Sequence, residues 1–247
     1  MIFSAFFLQQ KYPPGTKIDD YTIIRMLGDG KNAIRFLAEK MNQKYVLVFP
    51  KSGLLKRKNE NADGYLDVLV LLDNGSIPKW MDMLSLEGMQ GFVLEYIEGR
   101  TLEQMITKEK RKFDRDEIHD ICRKLIDIIS YLHNQDIAHR NIRISNVIMN
   151  GTDVYLVDFE QARFIDRKTF KADIDFSCLG DLMIQLYNSS YEKKRLWGKP
   201  WGKTWGKELG VPEMEWRFLR KLKGLDARYR SVREIQHDFS DILKQSK

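Results

Sequence analysis

The sequence has few cysteines, prolines and histidines for its length. Among 247 residues there are two cysteines, six prolines and four histidines. Cys122 and Cys178 show neither a metal-ligand spacing nor the dense pattern of a disulfide-rich secreted domain, and both lie in segments with helical periodicity. We therefore expect two buried thiols in a reducing compartment, which favours a cytoplasmic protein.

Long hydrophobic runs, internal domain repeats and low-complexity linkers are also absent from the sequence. The apolar stretch over residues 1–8 lacks a basic start and a cleavage site, and it is far shorter than the ~20 residues of a membrane-spanning helix. We expect this stretch to form an extra strand or a short helix, with contact to a membrane surface as the alternative.

The chain does contain enough apolar material for a core, together with an excess of positive charge. Hydrophobic residues make up 43% and charged residues 31% of the sequence, which disfavours disorder. Lys and Arg outnumber Asp and Glu by 41 to 35, which gives a net charge of +6. This excess is compatible with a solvated basic surface, or with a site for nucleic acid or an acidic membrane surface.

Strand patterns come first along the chain and helical patterns follow. The first part predicts a three-strand meander, a helix and a hairpin: residues 21–27, 34–39, 45–49, 54–72, 80–86 and 91–97. Helical spacing then predominates: residues 101–107, 116–134, 175–187 and 232–243. This order predicts a bilobal α+β fold, with an antiparallel β-sheet and one helix in the N-lobe and a mainly helical C-lobe. We expect one domain over 1–247, with the N-lobe at 1–96 and the C-lobe at 97–247.

Five motifs follow one another along the chain. They are Leu27-Gly28-Asp29-Gly30, Phe92 to Gly99, His139-Arg140-Asn141 with Asn146, Asp158-Phe159-Glu160, and Asp175 to Gly180. In this order they resemble the glycine-rich loop, hinge, catalytic loop, metal-binding triplet and bracing helix of the eukaryotic-type (Hanks-type) Ser/Thr protein kinase family. The resemblance covers nearly the whole chain, from Tyr21 to the last helix.

The resemblance implies ATP and Mg²⁺ as cofactors. It places Asn141, Arg143 and Asp158 at catalytic positions, and Asn146 and Asp158 at metal-binding positions. His139 is expected to pack beneath the catalytic loop rather than to act in the chemistry. The positions that contact the nucleotide in the family correspond to Gly28, Gly30, Arg35, Val46, Glu95 and Ile97.

Asn141 is the first departure from the family pattern, which has an aspartate as catalytic base at this position. An amide can orient a hydroxyl group, but its oxygen is barely basic and cannot accept the proton. Glu160 is a second departure, since it replaces the glycine of the metal-binding triplet and either binds Mg²⁺ or repels phosphate. The activation segment is shortened as well: about a dozen and a half residues separate Asp158 from Asp175, too few for the usual peptide-docking platform.

Val48 is a further departure, because the family has its phosphate-anchoring lysine there. Lys51 lies three residues farther on, and strand alternation predicts that it points to the opposite face of the sheet. Arg35 replaces a valine that lies over the adenine in the family, so its side chain should point into the nucleotide site. Its guanidinium either supplies the missing cation or fills the site and pairs with Asp158.

Three tryptophans recur at intervals of four residues, at Trp197, Trp201 and Trp205, and each is followed by Gly-Lys. They either cap the core of the C-lobe or form a docking surface for a protein partner, a lipid interface or stacked bases.

These features support one main hypothesis and two alternatives. The main hypothesis is a pseudokinase or catalytically impaired kinase that acts through partner binding and keeps residual ATP and Mg²⁺ binding. The first alternative is an active, atypical ATP-dependent phosphotransferase that acts on Ser/Thr or on a small molecule such as a sugar. The second alternative is a polyanion-binding module that uses the Trp/Lys stretch.

Overall fold

The structure, a computed structural model, describes residues 11–30, 33–51, 65–166, 172–190 and 210–245. The chain divides into two compact units, Met1–Glu98 and Gly99–Lys247. In the described residues, the first unit holds an antiparallel sheet and helix α1 (Tyr65–Leu71), and the second unit is mainly helical. The predicted α+β fold class is therefore confirmed.

An antiparallel six-stranded sheet forms the body of the first unit. Its strands are β1 (Lys17–Ile18), β2 (Tyr21–Asp29), β3 (Ala33–Lys40), β4 (Gln43–Pro50), β5 (Trp80–Leu86) and β6 (Met89–Glu95). Their order across the sheet is β1-β2-β3-β4-β6-β5. Two tight hairpins join β3 to β4 through Met41-Asn42 and β5 to β6 through Glu87-Gly88. All four of these turn residues have positive φ, which is the geometry that a two-residue hairpin requires.

One face of this sheet carries the apolar core of the first unit. Ile34, Phe36 and Ala38 of β3 point into it, and they pack with residues of the neighbouring strands and with two residues that precede β2. These partners are Tyr12, Ile18, Tyr21, Ile23, Leu47, Phe49, Leu84 and Val93. Because successive strand residues point to opposite faces, Arg35 and Leu37 lie on the other face of the sheet.

Helix α1 (Tyr65–Leu71) is the described part of the helix predicted over residues 54–72. It buries Val68 and Leu69. The predicted strand or helix over residues 1–8 and the three tryptophans at positions 197, 201 and 205 lie outside the described residues.

The described part of the second unit contains five α-helices. They are α2 (Leu102–Thr107), α3 (Arg115–His133), α4 (Asp173–Ser189), α5 (Glu213–Leu222) and α6 (Val232–Gln245). Both α2 and α3 begin with capping boxes, in which Thr101 pairs with Gln104 and Asp114 pairs with Glu117. Helix α3 packs against α4 and α6. Within the described ranges, no helix has the length and apolarity needed to cross a membrane.

Helix α5 was not predicted from the sequence. Its buried face includes a charged residue, Glu215, which is 1% exposed and interrupts the apolar periodicity. Arg115 Nε donates to Glu215 Oε1 at 2.6 Å, His119 Nε2 lies 3.3 Å from the same oxygen, and the Tyr187 hydroxyl donates to Oε2. Burial raises the pKa of Glu215, but the hydrogen bonds from Arg115 and Tyr187 and the nearby His119 ring outweigh it and lower the pKa below its ordinary value.

The cysteine prediction was correct for one of the two residues. Cys122 in α3 is buried, as expected, whereas Cys178 in α4 is only half-buried. Its neighbour Ser177 is also half-buried, while Asp175, Phe176 and Leu179 are buried. Cys178 therefore lies at the edge of the buried face of α4.

Short strands position the motif residues of the second unit. They are β7 (Arg100–Thr101), β8 (Ile137–Ala138), β9 (Val147–Asn150), β10 (Asp153–Leu156) and β11 (Arg163–Phe164). Strands β9 and β10 form a hairpin around Asn150-Gly151, and β11 pairs with β8. Gly99, which precedes β7, has φ +138° and lies so close to β9 that an added Cβ would be 2.2 Å from the Met149 oxygen. Only glycine fits there.

Candidate active site

The glycine turn of the first unit, defined as Gly28, Asp29 and Gly30, ends β2 and adjoins β3. Gly28 lies opposite Arg35, and Arg35 lies opposite Val48. The row continues to Phe92 of β6. Directly opposed side chains are the closest neighbours in a sheet, so Arg35 is the nearest cross-strand neighbour of the position that holds the lysine in the family.

The Arg35 side chain is half-buried and extends to the glycine turn. A Cβ added at Gly30 would lie 3.2 Å from Arg35 Nη1. The missing side chain at Gly30 therefore leaves room for the guanidinium, which brings a positive charge next to the backbone of the turn. The alternative pairing of Arg35 with Asp158 would join the two units, and it stays a prediction.

The position of the missing lysine is apolar. Val48 is 1% exposed and its neighbour Phe92 is fully buried. On α1, Asp67 is exposed to solvent. Apolar packing thus replaces a buried ion pair at this point of the sheet, which folded proteins tolerate well when the volume is filled.

Lys51 forms an ion pair with Asp29 in the glycine turn. Asp29 lies opposite Ile34, and Ile34 lies opposite Phe49. Ile34 and Phe49 belong to the core face, and Lys51 follows Phe49 by two positions. Lys51 therefore lies on the face opposite Arg35 and Val48, as strand alternation predicted. The pairing with Asp29 itself was not foreseen, because no sequence pattern links these two positions.

The remaining nucleotide positions predicted in the first unit lie within β4, at the end of β6 and just after it. Val46 lies opposite Leu37 and Leu94, on the same face as Arg35. The backbone nitrogen of Glu95 donates to the Lys79 carbonyl at 2.9 Å, and the Lys79 nitrogen donates to Glu95 Oε2 at 3.2 Å. The Glu95 side chain is therefore turned back onto Lys79. Ile97 is 9% exposed.

In the second unit, Asp175 of α4 holds the loop between β8 and β9, which contains His139, Asn141 and Asn146. The Asp175 carboxylate is fully buried. Its Oδ2 accepts the backbone N–H of His139 at 2.9 Å and lies 3.0 Å from His133 Nε2, while Oδ1 accepts the backbone N–H of Arg140 at 2.6 Å. Arg140 has φ +65°, a conformation that few non-glycine residues adopt, and these bonds stabilise it.

The sequence did not indicate a role for His133. It lies at the end of α3, 42 positions from Asp175, and no local motif joins the two residues. Only the packing of α3 on α4 brings them together.

His139 has the structural role that was predicted for it. Its ring is fully buried and lies edge-on to Phe159, with ring centroids 4.5 Å apart. Its Nδ1 accepts the backbone N–H of Asn141 at 3.2 Å, so the proton is on Nε2, which donates to the Val157 carbonyl at 3.2 Å. Burial lowers the pKa of His139, and the negative charges of Asp175 and Asp158 offset part of this effect.

Asn141 occupies the position of the family's catalytic base, and hydrogen bonds fix both its backbone and its side chain. Its Nδ2 makes a long bond of 3.5 Å to Asp158 Oδ2. Its carbonyl accepts from Asn146 Nδ2 at 2.8 Å. An amide, rather than a carboxylate, is therefore held next to the metal-binding triplet.

Asn146 and Asp158 fit a magnesium site by their chemistry. The bond from Asn146 Nδ2 to Asn141 fixes which end of the amide is the oxygen, and Oδ1 accepts from Ser145 Oγ at 3.3 Å. Asp158 adopts φ +68° and is half-buried. One carboxylate and one amide oxygen, completed by substrate phosphates and water, suit the small and hard Mg²⁺ ion.

The other two candidate residues of this region differ in exposure. Arg143 is exposed, and its carbonyl accepts the backbone N–H of Asn146 at 2.8 Å. Glu160 is 6% exposed and lies in a short 3₁₀-helix, Phe159–Gln161. Its φ is not positive, so the backbone at this position does not require the glycine that the family has there.

Comparison with known proteins identifies the family of this chain. A family model described as protein kinase domain matches residues 21–178, which is more than half of the chain. The chain belongs to the Hanks-type protein kinase family.

Similar proteins are themselves named as Ser/Thr kinases. This kinase-family chain is 27% identical over 234 residues to the probable serine/threonine-protein kinase YbdM of Bacillus subtilis, a match that spans 91% of the chain and 90% of that protein. It is 29% identical over 153 residues to the serine/threonine-protein kinase Nek3 of Mus musculus, which spans 60% of the chain. It is 25% identical over 158 residues to a probable KIN1 homolog of Enterocytozoon bieneusi, which spans 63% of the chain. The matches span 29% and 26% of the latter two proteins. A kinase-like function follows, and the family uses ATP and Mg²⁺.

Replacement of Asp175 should destabilise the kinase fold strongly. We expect Asp175→Ala to lower the free energy of unfolding by about 3–5 kcal/mol, because two buried backbone N–H groups and the His133 ring lose their acceptor. Urea denaturation followed by circular dichroism measures this loss. Asp181→Ala on the same helix is the matched control: its side chain is 48% exposed and pairs with Lys223, so the loss should stay below about 1 kcal/mol. Equal losses in both variants would contradict the assigned role.

His139 should remain neutral in mildly acidic solution. Since its pKa in the folded state lies below that of the unfolded chain, its contribution to stability is complete above the ordinary histidine pKa of about 6.5 and declines as the pH falls below it. A pH titration of the histidine ring resonances by NMR checks this prediction. At pH 6 the His139 ring should show the Nε2–H neutral form, and a titration midpoint at or above 6.5 would disprove it.

Proposed function

We propose that this protein is a catalytically impaired member of the kinase family, which binds ATP with Mg²⁺ and acts mainly by binding partners. One observation carries the proposal. Asn141 stands at the position of the catalytic base in a loop that is otherwise held by hydrogen bonds to Asp175 and to the His139 ring, and from the Asn146 amide. The scaffold of the loop is thus kept while the proton acceptor is missing.

The missing base lowers the rate without preventing nucleotide binding. A carboxylate can accept the proton of a substrate hydroxyl, whereas the Asn141 amide can only orient that hydroxyl. Loss of a general base reduces the rate by about 10²–10⁴. Phosphoryl transfer has a loose transition state that depends mainly on positioning and charge, so slow residual transfer is compatible with the proposal.

Arg35 supports nucleotide binding in place of the lysine that Val48 replaces. Its guanidinium reaches Gly30 in the glycine turn. A guanidinium is permanently charged and presents several N–H donors, so it can bind phosphate oxygens by two parallel hydrogen bonds. Asn146 and Asp158 would hold Mg²⁺, which when bound neutralises phosphate charge.

Nucleotide should stabilise the protein, and it should do so in a Mg²⁺-dependent way. A ligand at 100 times its Kd stabilises by about 2.7 kcal/mol, which corresponds to a rise in Tm of about 5 °C or more for a domain of this size. Thermal unfolding with ATP and Mg²⁺ measures the shift, and EDTA should reduce it. Asp158→Ala should remove the dependence on Mg²⁺. Asp153→Ala, an exposed change in β10, is the matched control and should leave the shift intact. No shift in the unmodified protein would disprove nucleotide binding.

Restoring the catalytic base should raise the rate of phosphoryl transfer. We expect Asn141→Asp to raise the rate of γ-phosphate transfer from ATP to protein by about 10²-fold or more, because a carboxylate of nearly the same shape then lies in a preformed loop. Transfer of radioactive label to the protein itself and to a generic substrate such as casein is the measurement. Asn141→Ala serves as control and should not exceed the unmodified protein.

An active, atypical phosphotransferase is the second candidate, and the retained pair of Asn146 and Asp158 favours it. A loose transition state needs little base catalysis, so a protein that keeps both metal-binding residues can transfer phosphate with other groups in the place of the lysine. The same experiment distinguishes the two candidates. Ordinary kinase rates in the unmodified protein, with little gain from Asn141→Asp, would favour the active enzyme.

Partner binding is the part of the proposal that rests on the sequence. Trp197, Trp201 and Trp205 with their neighbouring lysines suit a protein partner, since tryptophans carry much of the binding energy at protein interfaces. The basic excess also suits nucleic acid or an acidic membrane surface. A cytoplasmic location, expected from the cysteine pattern, belongs to the same proposal.

A further inference from the structure

The glycine turn contains a negative charge between its two glycines. The Asp29 side chain is 9% exposed and forms an ion pair with Lys51, whose side chain is 31% exposed. The turn itself is closed by a hydrogen bond of 3.0 Å from the Gly30 nitrogen to the Ala33 carbonyl. A nearly buried carboxylate at the centre of such a turn needs a partner, and among the described residues Lys51 provides one.

Two cations reach the turn from opposite faces of the sheet. Arg35 lies on the face of Val48 and approaches Gly30. Lys51 lies on the core face, in line with Phe49, and binds Asp29. The sheet thus separates Arg35, which approaches the backbone of the turn, from Lys51, which pairs with the Asp29 carboxylate.

The separation of Arg35 from Asp29 and Lys51 affects how the turn can bind a polyphosphate. The phosphates of a nucleotide carry several negative charges, and a carboxylate nearby repels each of them. Such repulsion is weakly screened where the groups are partly buried, because solvent and salt have limited access. An unpaired Asp29 would therefore oppose phosphate binding at the turn, while a paired Asp29 would not.

We propose that Lys51 is a positioning residue for nucleotide phosphates: it neutralises Asp29 and holds this carboxylate on the core face, away from the side of the turn that Arg35 approaches. Lys51 acts through Asp29 and does not contact phosphate. The inference rests on the nucleotide binding proposed above, and it extends that proposal to a residue outside the family's motifs.

A double-mutant cycle tests this role. Binding of MgADP and of adenosine is measured by isothermal titration calorimetry for the unmodified protein, Lys51→Ala, Asp29→Asn and the double variant. Adenosine reports on the base and sugar alone, because it carries no phosphate. Lys40→Ala is the matched control, since Lys40 lies at the far end of β3 and pairs with Asp20 at 3.0 Å. Thermal unfolding verifies that each variant is folded.

The expected pattern is specific to charge compensation. Lys51→Ala should weaken MgADP about tenfold, equivalent to about 1.4 kcal/mol, and leave adenosine binding unchanged. Asp29→Asn alone should bind MgADP within about twofold of the unmodified protein, and adding it to Lys51→Ala should restore most of the lost affinity. Lys40→Ala should bind both ligands normally.

Several results would overturn the inference. Equal weakening by Lys51→Ala with and without the Asp29→Asn substitution would show that Lys51 contacts phosphate directly. Equal weakening by Asp29→Asn alone would show that the pair acts only as a mechanical tether. Unchanged MgADP binding in Lys51→Ala would show no role. If the unmodified protein binds adenosine and MgADP, such results leave the proposed function standing; if it binds neither, the proposed function and this inference both fall.

Discussion

The buried carboxylate of Asp175 is the interaction on which the candidate site depends. It accepts the backbone N–H groups of His139 and Arg140, and it holds Arg140 in a left-handed conformation that the loop alone would not keep. Further hydrogen bonds connect this loop to its surroundings. The His139 ring donates to the Val157 carbonyl and accepts the backbone N–H of Asn141. One carboxylate thereby fixes two loops that meet at the candidate metal site.

This dependence explains how the fold can keep its shape while its chemistry changes. The bonds to Asp175, to the His139 ring and from Asn146 use backbone atoms of the loop and not the side-chain atoms of the family's catalytic base, so an amide at Asn141 fits without disturbing them. The same holds at Val48, where buried apolar packing against Phe92 takes the place of an ion pair. Stability and catalysis depend on different atoms here, so one can be lost while the other is retained.

The charges of the first unit show a similar division of roles. Arg35 brings a cation to the backbone of the glycine turn, and Lys51 compensates the carboxylate within it. The alternation of side chains along a strand keeps these cations on opposite faces of the sheet. A cation missing at one strand position, such as the lysine at Val48, can therefore be replaced by a cation on a neighbouring strand. The negative charge of Asp29 in the turn stays compensated by Lys51.

The sequence by itself determined the order of most elements, though not helix α5, together with the hairpins of the first unit and the positions of the motifs, because these follow from local patterns of two to four residues. The pairing of Arg35 with Val48 across the β3–β4 hairpin follows from the strand register that the structure shows. Only the tertiary structure decided the partners of buried charges. Lys51 with Asp29, His133 with Asp175, and Glu215 with Arg115 and Tyr187 join residues far apart in sequence. A charged side chain in a sequence does not reveal which distant group will compensate it, and packing alone makes that choice.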